Sequence, residues 1–595
     1  MPRIITDNLR LSQIELITSD MVSNTSPHYV FLGRHVPYVD ASGNTLDATP
    51  PDVDISVDGS TYDVYRNMIC AKHITSHDIA PVVKYTEWQS GVVYDQYDHR
   101  DPDLHLKTWY VVVRRGTNYD LFICLGNNRG AASTVAPSYH DSTPGESGGY
   151  ETIPDYYKWK YMFTANKTQF DRFATNGYIP VFPNSEVTGN SVHGSVDYVT
   201  VERGGASYDS YHTGSFLESV VAGDAQLFSI DVAASSNSNF YNGCALTITS
   251  GPGAGQLRTI VDYTVISSTI KRVRLDAPFE VTPTTSSIFE ITPAVNVSGD
   301  GEGFVGRALV NAYSSNSVWR VEILDRGINY TWASASVVGN TGGGTNYANV
   351  IPMISPYGGH GFNPAKELHA TAVGISVNFN SGESLGKVLD TNDFRVVGIV
   401  KRPQYSDVFV TVDTSNDFEI GDRVVQPYTG AYAYVKNVPT TTTLNLTNAV
   451  GYFVTGHVVT AQTAIAPQSN VSLVLGQSAY VDQTTKVDIS TGSLVGSFVE
   501  DEIVTQGDVT SRVYSANSTQ LRLTQVYGAI SASDPSIPGS LTALVGATSQ
   551  ANAQVTIVTP GEFKTGSGEV LYIDNKIPVI KTTDQTETVK IILEF

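Results

Sequence analysis

The C-terminal stretch, residues 568–595, constrains the fold of this chain more than any other part of the sequence. From Thr586 onward polar and apolar side chains alternate, so that Val589, Ile591 and Leu593 fall on one side. A period of two residues is typical of a β-strand with one buried face. The stretch therefore predicts a strand that is tied into a sheet built from other parts of the chain.

A second apolar run, residues 570–573, lies just upstream and is followed by Asp574-Asn575-Lys576 and Pro578. Proline fixes its own φ angle and has no N–H for a strand ladder. We therefore expect a turn at residues 574–576 and an extended segment after it.

The words S-G-E-V-L-Y-I-D-N-K-I-P-V-I and D-Q-T-E-T-V-K-I-I-L-E-F in this stretch resemble the C-terminal signature of one family. It is the baseplate wedge subunit of T-even-like contractile-tailed bacteriophages, of the gene product eight type. Three further words stand in the family's order, and they extend a weaker resemblance over residues 1–200: F-L-G-R (31–34), W-Q-S-G-V-V-Y-D (88–95) and Y-K-W-K-Y-M-F (157–163).

The resemblance implies a mainly β fold, a multi-domain β-sandwich body with a few short helices. It implies a structural subunit that holds neighbouring wedge proteins together and moves with them during the baseplate conformational change at infection. The implied partners are wedge subunits of the gene product six, seven and ten types, together with a second copy in a homodimer. The implied location is the tail baseplate of the virion, and the mechanism needs no catalytic residue, cofactor or metal.

The composition also favours short strands over long helices. Only 16% of the 595 residues are charged, whereas the exposed faces of long helices need Glu and Lys. A net charge of −21 repels phosphate backbones and anionic lipid, so we expect neither nucleic acid nor a membrane as partner. The three cysteines cannot form a disulfide framework, and the polar start M-P-R-I-I-T-D is not a signal peptide, so we expect assembly in a host cytoplasm.

Apolar periodicity gives a coarse map of the elements. It predicts helices over residues 4–22 and 62–74, and strands at 29–34, 92–97, 109–114, 121–125 and 157–163.

An internal repeat marks the second half of the chain. Residues 418–426, F-E-I-G-D-R-V-V-Q, answer residues 498–506, F-V-E-D-E-I-V-T-Q, and the words around Leu444 and Leu521 match at nearly the same offset. Self-similarity at a fixed offset predicts two copies of one β module with the same strand order.

These features predict a domain map in which small β domains are inserted into a wedge body. We expect the inserts to protrude from the body and to be dispensable for its folding, because inserted domains keep their ends close together. The expected segments are the N-terminal wedge body (1–214), an inserted small β domain (215–297), the continued body (298–383), an inserted arm of two repeated β modules (384–560) and C-terminal strands that complete the body (561–595).

One loop could carry enzyme chemistry. Residues 145–149, G-E-S-G-G, resemble the nucleophile loop of chymotrypsin-like proteases, and His73 and Asp101 precede Ser147 in the order that a catalytic triad needs. The loop lacks the Asp that normally precedes the nucleophilic serine. The residues around His73 do not resemble those around the catalytic histidine of these proteases. Glycine-rich turns within a long loop explain the motif better. We therefore expect that the protein is not an enzyme.

Two clusters could hold a metal. His73 and His77 would share a helix face as zinc ligands, with Asp78, His99 or His105 as a third, but the H-E-x-x-H pattern is missing.

The second cluster, residues 296–301, begins like a calcium loop. Arg307 stands where the bidentate Glu is required, so a tight turn around Asp300 is favoured over a calcium site. No metal site is predicted at either place.

Two glycine-rich words remain. Residues 251–256, G-P-G-A-G-Q, lack the Lys-Ser/Thr of a phosphate loop, and residues 358–361, G-G-H-G, are typical of a buried corner. The alternative function from another class is a β-rich receptor- or carbohydrate-binding tail protein. The 33 tyrosines and the repeated modules favour it, because aromatic faces stack on sugars. A tail-associated hydrolase rests on Ser147 alone.

Overall fold

The structure is a computed structural model that describes residues 7–53, 60–138, 150–152, 154–209, 211–218, 220–221, 223–311, 314–339, 346–380, 387, 393–532, 543–580 and 586–595. The chain divides into two compact units. The first unit consists of Met1–Ala80 and Thr371–Phe595, and the second of Pro81–Ala370.

Strands dominate both units, so the predicted mainly β class is confirmed. The helices are α1 Asp7–Met21, α2 Ser60–Asn67, α3 Lys167–Phe173, α4 Ser185–Gly189 and α5 Pro364–Glu367. The strands up to residue 203 are β1 His28–Gly33, β2 Met68–His73, β3 Ile79–Lys84, β4 Tyr110–Arg115, β5 Asn118–Asn127, β6 Tyr150–Thr152, β7 Tyr157–Ala165, β8 Tyr178–Pro180 and β9 Val196–Arg203.

The strands continue with β10 His212–Ser215, β11 Leu227–Ile230, β12 Ala245–Ser250, β13 Leu257–Val265, β14 Lys271–Leu275, β15 Ile288–Thr292, β16 Ala294–Gly299, β17 Glu302–Asn311, β18 Ser317–Ile328, β19 Ala333–Val337, β20 Asn349–Ile354, β21 Ala372–Phe379 and β22 Phe394–Lys401. The rest are β23 Val408–Val412, β24 Arg423–Val425, β25 Tyr432–Thr440, β26 Thr443–Val450, β27 Val458–Ala461, β28 Gln468–Leu475, β29 Tyr480–Asp482, β30 Thr485–Ile489, β31 Ile503–Gln506, β32 Val509–Ala516, β33 Gln520–Tyr527, β34 Leu544–Gly546, β35 Asn552–Ala553, β36 Val555–Thr559, β37 Glu569–Val579 and β38 Glu587–Glu594.

A five-stranded sheet organises the first unit, in the order β29-β2-β1-β22-β37. Every residue of β1 is buried, as expected for a strand with neighbours on both sides and cover on both faces. The predicted helix over residues 62–74 ends at Asn67, and β2 takes the remainder. The buried run M-I-C-A opens β2, and a fully buried apolar run looks alike in a helix and in a central strand.

The turn predicted at residues 574–576 is wrong. Strand β37 runs without interruption from Glu569 to Val579 and pairs antiparallel with β22. It forms the edge of the five-stranded sheet, and an edge strand tolerates Pro578 because one side of its backbone needs no ladder hydrogen bonds.

The predicted closing strand is confirmed as β38. It pairs antiparallel with β21 along its whole length, and Ile591 lies opposite Ile375. Ile591 is buried in a core with Val373, Val377 and Phe379, whereas Lys590 on the other face is exposed.

Residues 408–475 form a closed six-stranded barrel, here named module A. Its pairs are β23–β26, β23–β28, β24–β25, β24–β27, β25–β26 and β27–β28. Residues 485–559, named module B, have the pairs β30–β33, β30–β36, β31–β32, β31–β34, β32–β33 and β34–β35. The two strand orders agree pair by pair, with the last strand of module B split into β35 and β36.

Module A shares one hydrophobic core with the five-stranded sheet. The core joins Tyr29 and Phe31 of β1 to the inward side chains of the barrel and to Phe563. The hydroxyl of Tyr29 donates to that of Tyr452, at 3.0 Å, and burial raises the pKa of Tyr29 well above its usual value. Removal of residues 384–560 would expose this core. The dispensability of the arm for folding stays a prediction.

The second unit contains the predicted aromatic strand, β7, in the sheet β4-β5-β7-β6. Tyr157, Trp159, Tyr161 and Phe163 are all buried. The strand predicted at residues 92–97 is wrong, since Val92 forms only an isolated bridge with Ser133.

Strands β10 to β15 form a six-stranded sheet that spans residues 212–292, close to the small β domain predicted at 215–297. Its core is drawn entirely from side chains between Phe216 and Ile291. Residues 384–560 lie in one compact unit with the C-terminal strands, and the domain map stays a prediction. The status of the two inserts as additions to a wedge body stays a prediction.

Candidate functional site

Of the residues considered for enzyme chemistry, Asp101 serves a local turn. Ser147 and its glycine-rich loop lie outside the described residues. Asp101 accepts a hydrogen bond from the backbone N–H of Asp103, at 2.9 Å, and forms an ion pair with Lys107, which closes a local turn.

The predicted helix with His73 and His77 on one face is wrong, because His73 ends strand β2 and His77 is exposed in the following turn. His73 lies between the rings of Tyr29 and Tyr452, with centroids 5.2 and 4.7 Å away, and burial lowers its pKa to about 4. Asp78 accepts hydrogen bonds from the N–H and hydroxyl of Thr75 and so closes that turn. Across the described residues no group of three or more His, Cys, Asp or Glu side chains could hold a metal ion.

Asp300 stabilises a turn, as the sequence favours. Its carboxylate accepts from the N–H groups of Thr331 and Trp332, at 2.9 and 3.1 Å, and from the Thr331 hydroxyl. These hydrogen bonds lower the pKa of Asp300 to about 2.

Both glycine-rich segments have a structural role in the backbone. Residues 251–256 connect β12 to β13, and the Gln256 side chain bonds back to the main chain of Gly253 and Val281. Residues 358–361 form a buried corner in which Gly359 has φ +93° and a Cβ would strike the backbone of Val192. The imidazole of His360 is buried there, with Nδ1 2.5 Å from the Glu367 carboxylate.

The candidate site lies instead on the outer face of module A. Equivalent strands of modules A and B carry different side chains on this face. On β23 of module A, Val408, Val410 and Val412 point into the barrel, which leaves Phe409 on the outside. Phe409 lies opposite Leu475, and Thr411 lies opposite Leu473. Phe409, Leu473 and Leu475, 39%, 47% and 55% exposed, form an apolar patch on the outer wall of the barrel.

The equivalent outer face of module B carries charged side chains. Lys486 occupies the position of Phe409 and lies opposite Thr559, while Asp488 lies opposite Ile557. The β23–β28 ladder shifts register after Thr411, and the β30–β36 ladder shifts after Asp488. This shared irregularity fixes which residues of the two modules are equivalent. Lys486 is paired with Asp482, at 3.0 Å, so this wall of module B is stabilised within the chain.

A polar border surrounds the apolar patch. Lys436 and Asp407 form an ion pair at 2.5 Å, and the Ser472 hydroxyl donates to the Thr411 carbonyl, at 3.2 Å. An apolar centre with a polar border is the usual anatomy of a protein–protein interface. Sequence reasoning missed the patch, although the alternation V-F-V-T-V and the repeat together carried its signal.

Comparison with known families identifies the C-terminal part of the chain as similar to a structural protein of a phage tail baseplate. The matching family model is described as Bacteriophage T4, Gp8, and it covers residues 493–595. The resemblance to the wedge subunit of the gene product eight type is thereby confirmed over this segment. The match takes in most of module B, which the predicted map placed in an inserted arm, as well as β37 and β38. No curated protein matches the sequence.

No helix among the described residues is both long enough and apolar enough to cross a membrane.

Proposed function

We propose that this chain is a structural subunit of a contractile-tail baseplate wedge that holds neighbouring wedge proteins together. The observation that carries the proposal is the match of residues 493–595 to the Gp8 family. The mainly β architecture supports it, since the barrel of module A and several sheets provide stiff surfaces for large protein contacts. The location that follows is the tail baseplate of the virion, after assembly in the host cytoplasm.

The apolar patch of Phe409, Leu473 and Leu475 is proposed as one contact with a neighbouring wedge subunit, of the gene product six, seven or ten type. A partner that covers these side chains gains roughly 25 cal/mol for each Å² of apolar surface removed from water. The polar border then fixes the orientation of the contact. The role is mechanical and needs no catalysis, and the subunit moves as near-rigid bodies when the baseplate changes shape.

The test makes the same kind of substitution at equivalent positions of modules A and B, so that module B serves as the control. Leu473 and Ile557 occupy equivalent outer positions, so Leu473→Asp and Ile557→Asp place the same charge on the same kind of strand. The full chain is co-expressed with each of the three wedge proteins of its phage, and complex formation is measured by pull-down and by light scattering. We expect Leu473→Asp to weaken one complex at least about tenfold, since burying an unpaired carboxylate is costly.

Ile557→Asp should leave all the complexes unchanged. Equal effects of the two substitutions would contradict the assignment of the patch, and absence of any complex with the wild-type chain would contradict the wedge role. Light scattering of the chain alone tests the proposed homodimer, which has twice the mass of one chain.

A further inference from the structure

A cleft of about 320 Å³ in the second unit carries side chains that the proposed structural role does not use. Its floor is the outer face of β9. Along this strand Tyr198, Thr200 and Glu202 line the cleft, together with the buried Val201. The floor therefore offers an aromatic ring, a hydroxyl and a carboxylate in one row.

Polar groups around the floor are held in place by the chain itself. The Gln96 side-chain amide donates to the Thr200 hydroxyl, at 2.8 Å. The Glu202 carboxylate accepts from the Asn349 side chain, at 2.7 Å, through one of its two oxygens. Both donors and acceptors are thus pre-oriented at the cleft.

A β-bulge builds one wall. In the ladder of β17 and β18, Leu309 lies opposite Arg320 and Val310 lies opposite Val318, so Trp319 is an extra residue. A bulge redirects side chains, and here the consecutive residues Trp319 and Arg320 both line the cleft.

A second wall, next to the bulge, has an unusual backbone. Asn128, Arg129 and Tyr156 all line the cleft, and they have φ angles of +48°, +58° and +63°. Such left-handed conformations are uncommon for residues other than glycine and concentrate at binding sites. Arg129 donates to the carbonyls of Val318 and Trp319, at 3.1 and 3.0 Å, which ties this wall to the bulge.

Two rings close the cleft as an aromatic corner. The rings of Tyr156 and Trp319 meet edge to face, with centroids 5.3 Å apart and planes at 81°. Tyr156 is 50% exposed, so a ring of this size is left open to solvent beside polar groups.

We propose that this cleft binds a saccharide. Sugar rings present C–H faces that pack on aromatic rings and hydroxyls that pair with amides, guanidinium groups and carboxylates. The volume lies at the lower end of ligand sites, which is suited to one or two sugar rings. The Glu202 carboxylate lies in the same cleft as the guanidinium groups of Arg129 and Arg320, so the lining mixes both signs of charge and does not select a purely acidic or basic peptide. The proposal is independent of the baseplate role.

The test begins with the full chain on an array of neutral and acidic oligosaccharides that covers hexoses, N-acetylhexosamines and uronic acids. A hit is then titrated by saturation-transfer NMR against the wild type, Trp319→Ala and Trp332→Ala. Trp332 is the matched control, because it is 58% exposed in the same unit but does not line the cleft. We expect Trp319→Ala to lose at least about tenfold in affinity, since an aromatic contact is worth roughly 1.4 kcal/mol.

Tyr156→Gly is the second variant. Glycine accepts the left-handed φ without strain, so this variant should fold with an unchanged or higher melting temperature while it loses the ring. It decides the question if Trp319→Ala does not fold. An empty saccharide array, binding that survives Tyr156→Gly, or binding of an acidic or basic peptide instead of any sugar would each overturn the proposal.

Discussion

The closing strand β38 gives the sharpest stability prediction, because its two faces differ so clearly. Ile591 is 6% exposed and packs with Val373 and Ile375, while its neighbour Lys590 points to the other face. We predict that Ile591→Ala destabilises the first unit and that Lys590→Ala does not.

The magnitude follows from the position of Ile591. Replacing a buried isoleucine by alanine costs about 2–5 kcal/mol, made up of lost transfer free energy and a residual cavity. Strand β38 is the outermost strand of its sheet, so the site can partly collapse and the lower half of that range applies. An exposed substitution such as Lys590→Ala changes stability by no more than about 0.5 kcal/mol.

The assay is differential scanning calorimetry of the full chain. A loss of about 2 kcal/mol lowers the melting temperature of a unit of this size by roughly 3 °C. Deletion of residues 586–595 removes the whole strand and should abolish soluble folding, because the apolar face of β21 is then exposed. Equal melting temperatures for Ile591→Ala and Lys590→Ala would refute the assignment of the buried face.

Further predictions concern the modules and pH. Val410→Ala and Val487→Ala remove equivalent fully buried side chains from modules A and B, so each should cost about 2 kcal/mol, and calorimetric values that differ by more than about 1 kcal/mol would contradict the equivalence. His73 is held neutral, with a pKa lowered to about 4 from 6.5. Its stabilising contribution is therefore complete above pH 6.5 and is lost as the pH falls from 6.5 towards 4. His73→Phe should flatten the fall of the melting temperature in that window, and an unchanged pH profile would count against the buried neutral imidazole.

The sequence predicts the closing strand, the aromatic strand and the repeat, because each rests on a local periodicity. Period-two alternation marks β38 and β7, where one face is consistently apolar. The repeat is visible because both modules have similar residues, 418–426 and 498–506, around the turn before their second strand. Where the pattern is ambiguous, tertiary context decides, as in residues 68–73, whose buried run fits a helix and a central strand equally well.

The candidate surface and the cleft depend on features that one-dimensional patterns lack. The alternation in β23 places Phe409 on the outer face, but only the ladder shows that Leu475 lies opposite it and extends the patch. The corner of Tyr156 and Trp319 joins residues far apart in sequence through a bulge and a left-handed backbone, and neither feature has a sequence signature here. The core shared by module A and β1 is hidden for the same reason, since it joins residues more than 300 positions apart.

The discontinuous first unit has a consequence for synthesis on the ribosome. Strand β1 cannot pair with β22 until residues 394–401 have been translated, long after β1 itself has left the exit tunnel. At about 5–20 residues per second, the intervening stretch delays this pairing by roughly 20–70 seconds. During that time the apolar strand Y-V-F-L can pair with β2 on one side, but its other edge lacks β22. The nascent chain is therefore a natural client for cellular chaperones, and codons that slow its translation would lengthen the exposure of this edge.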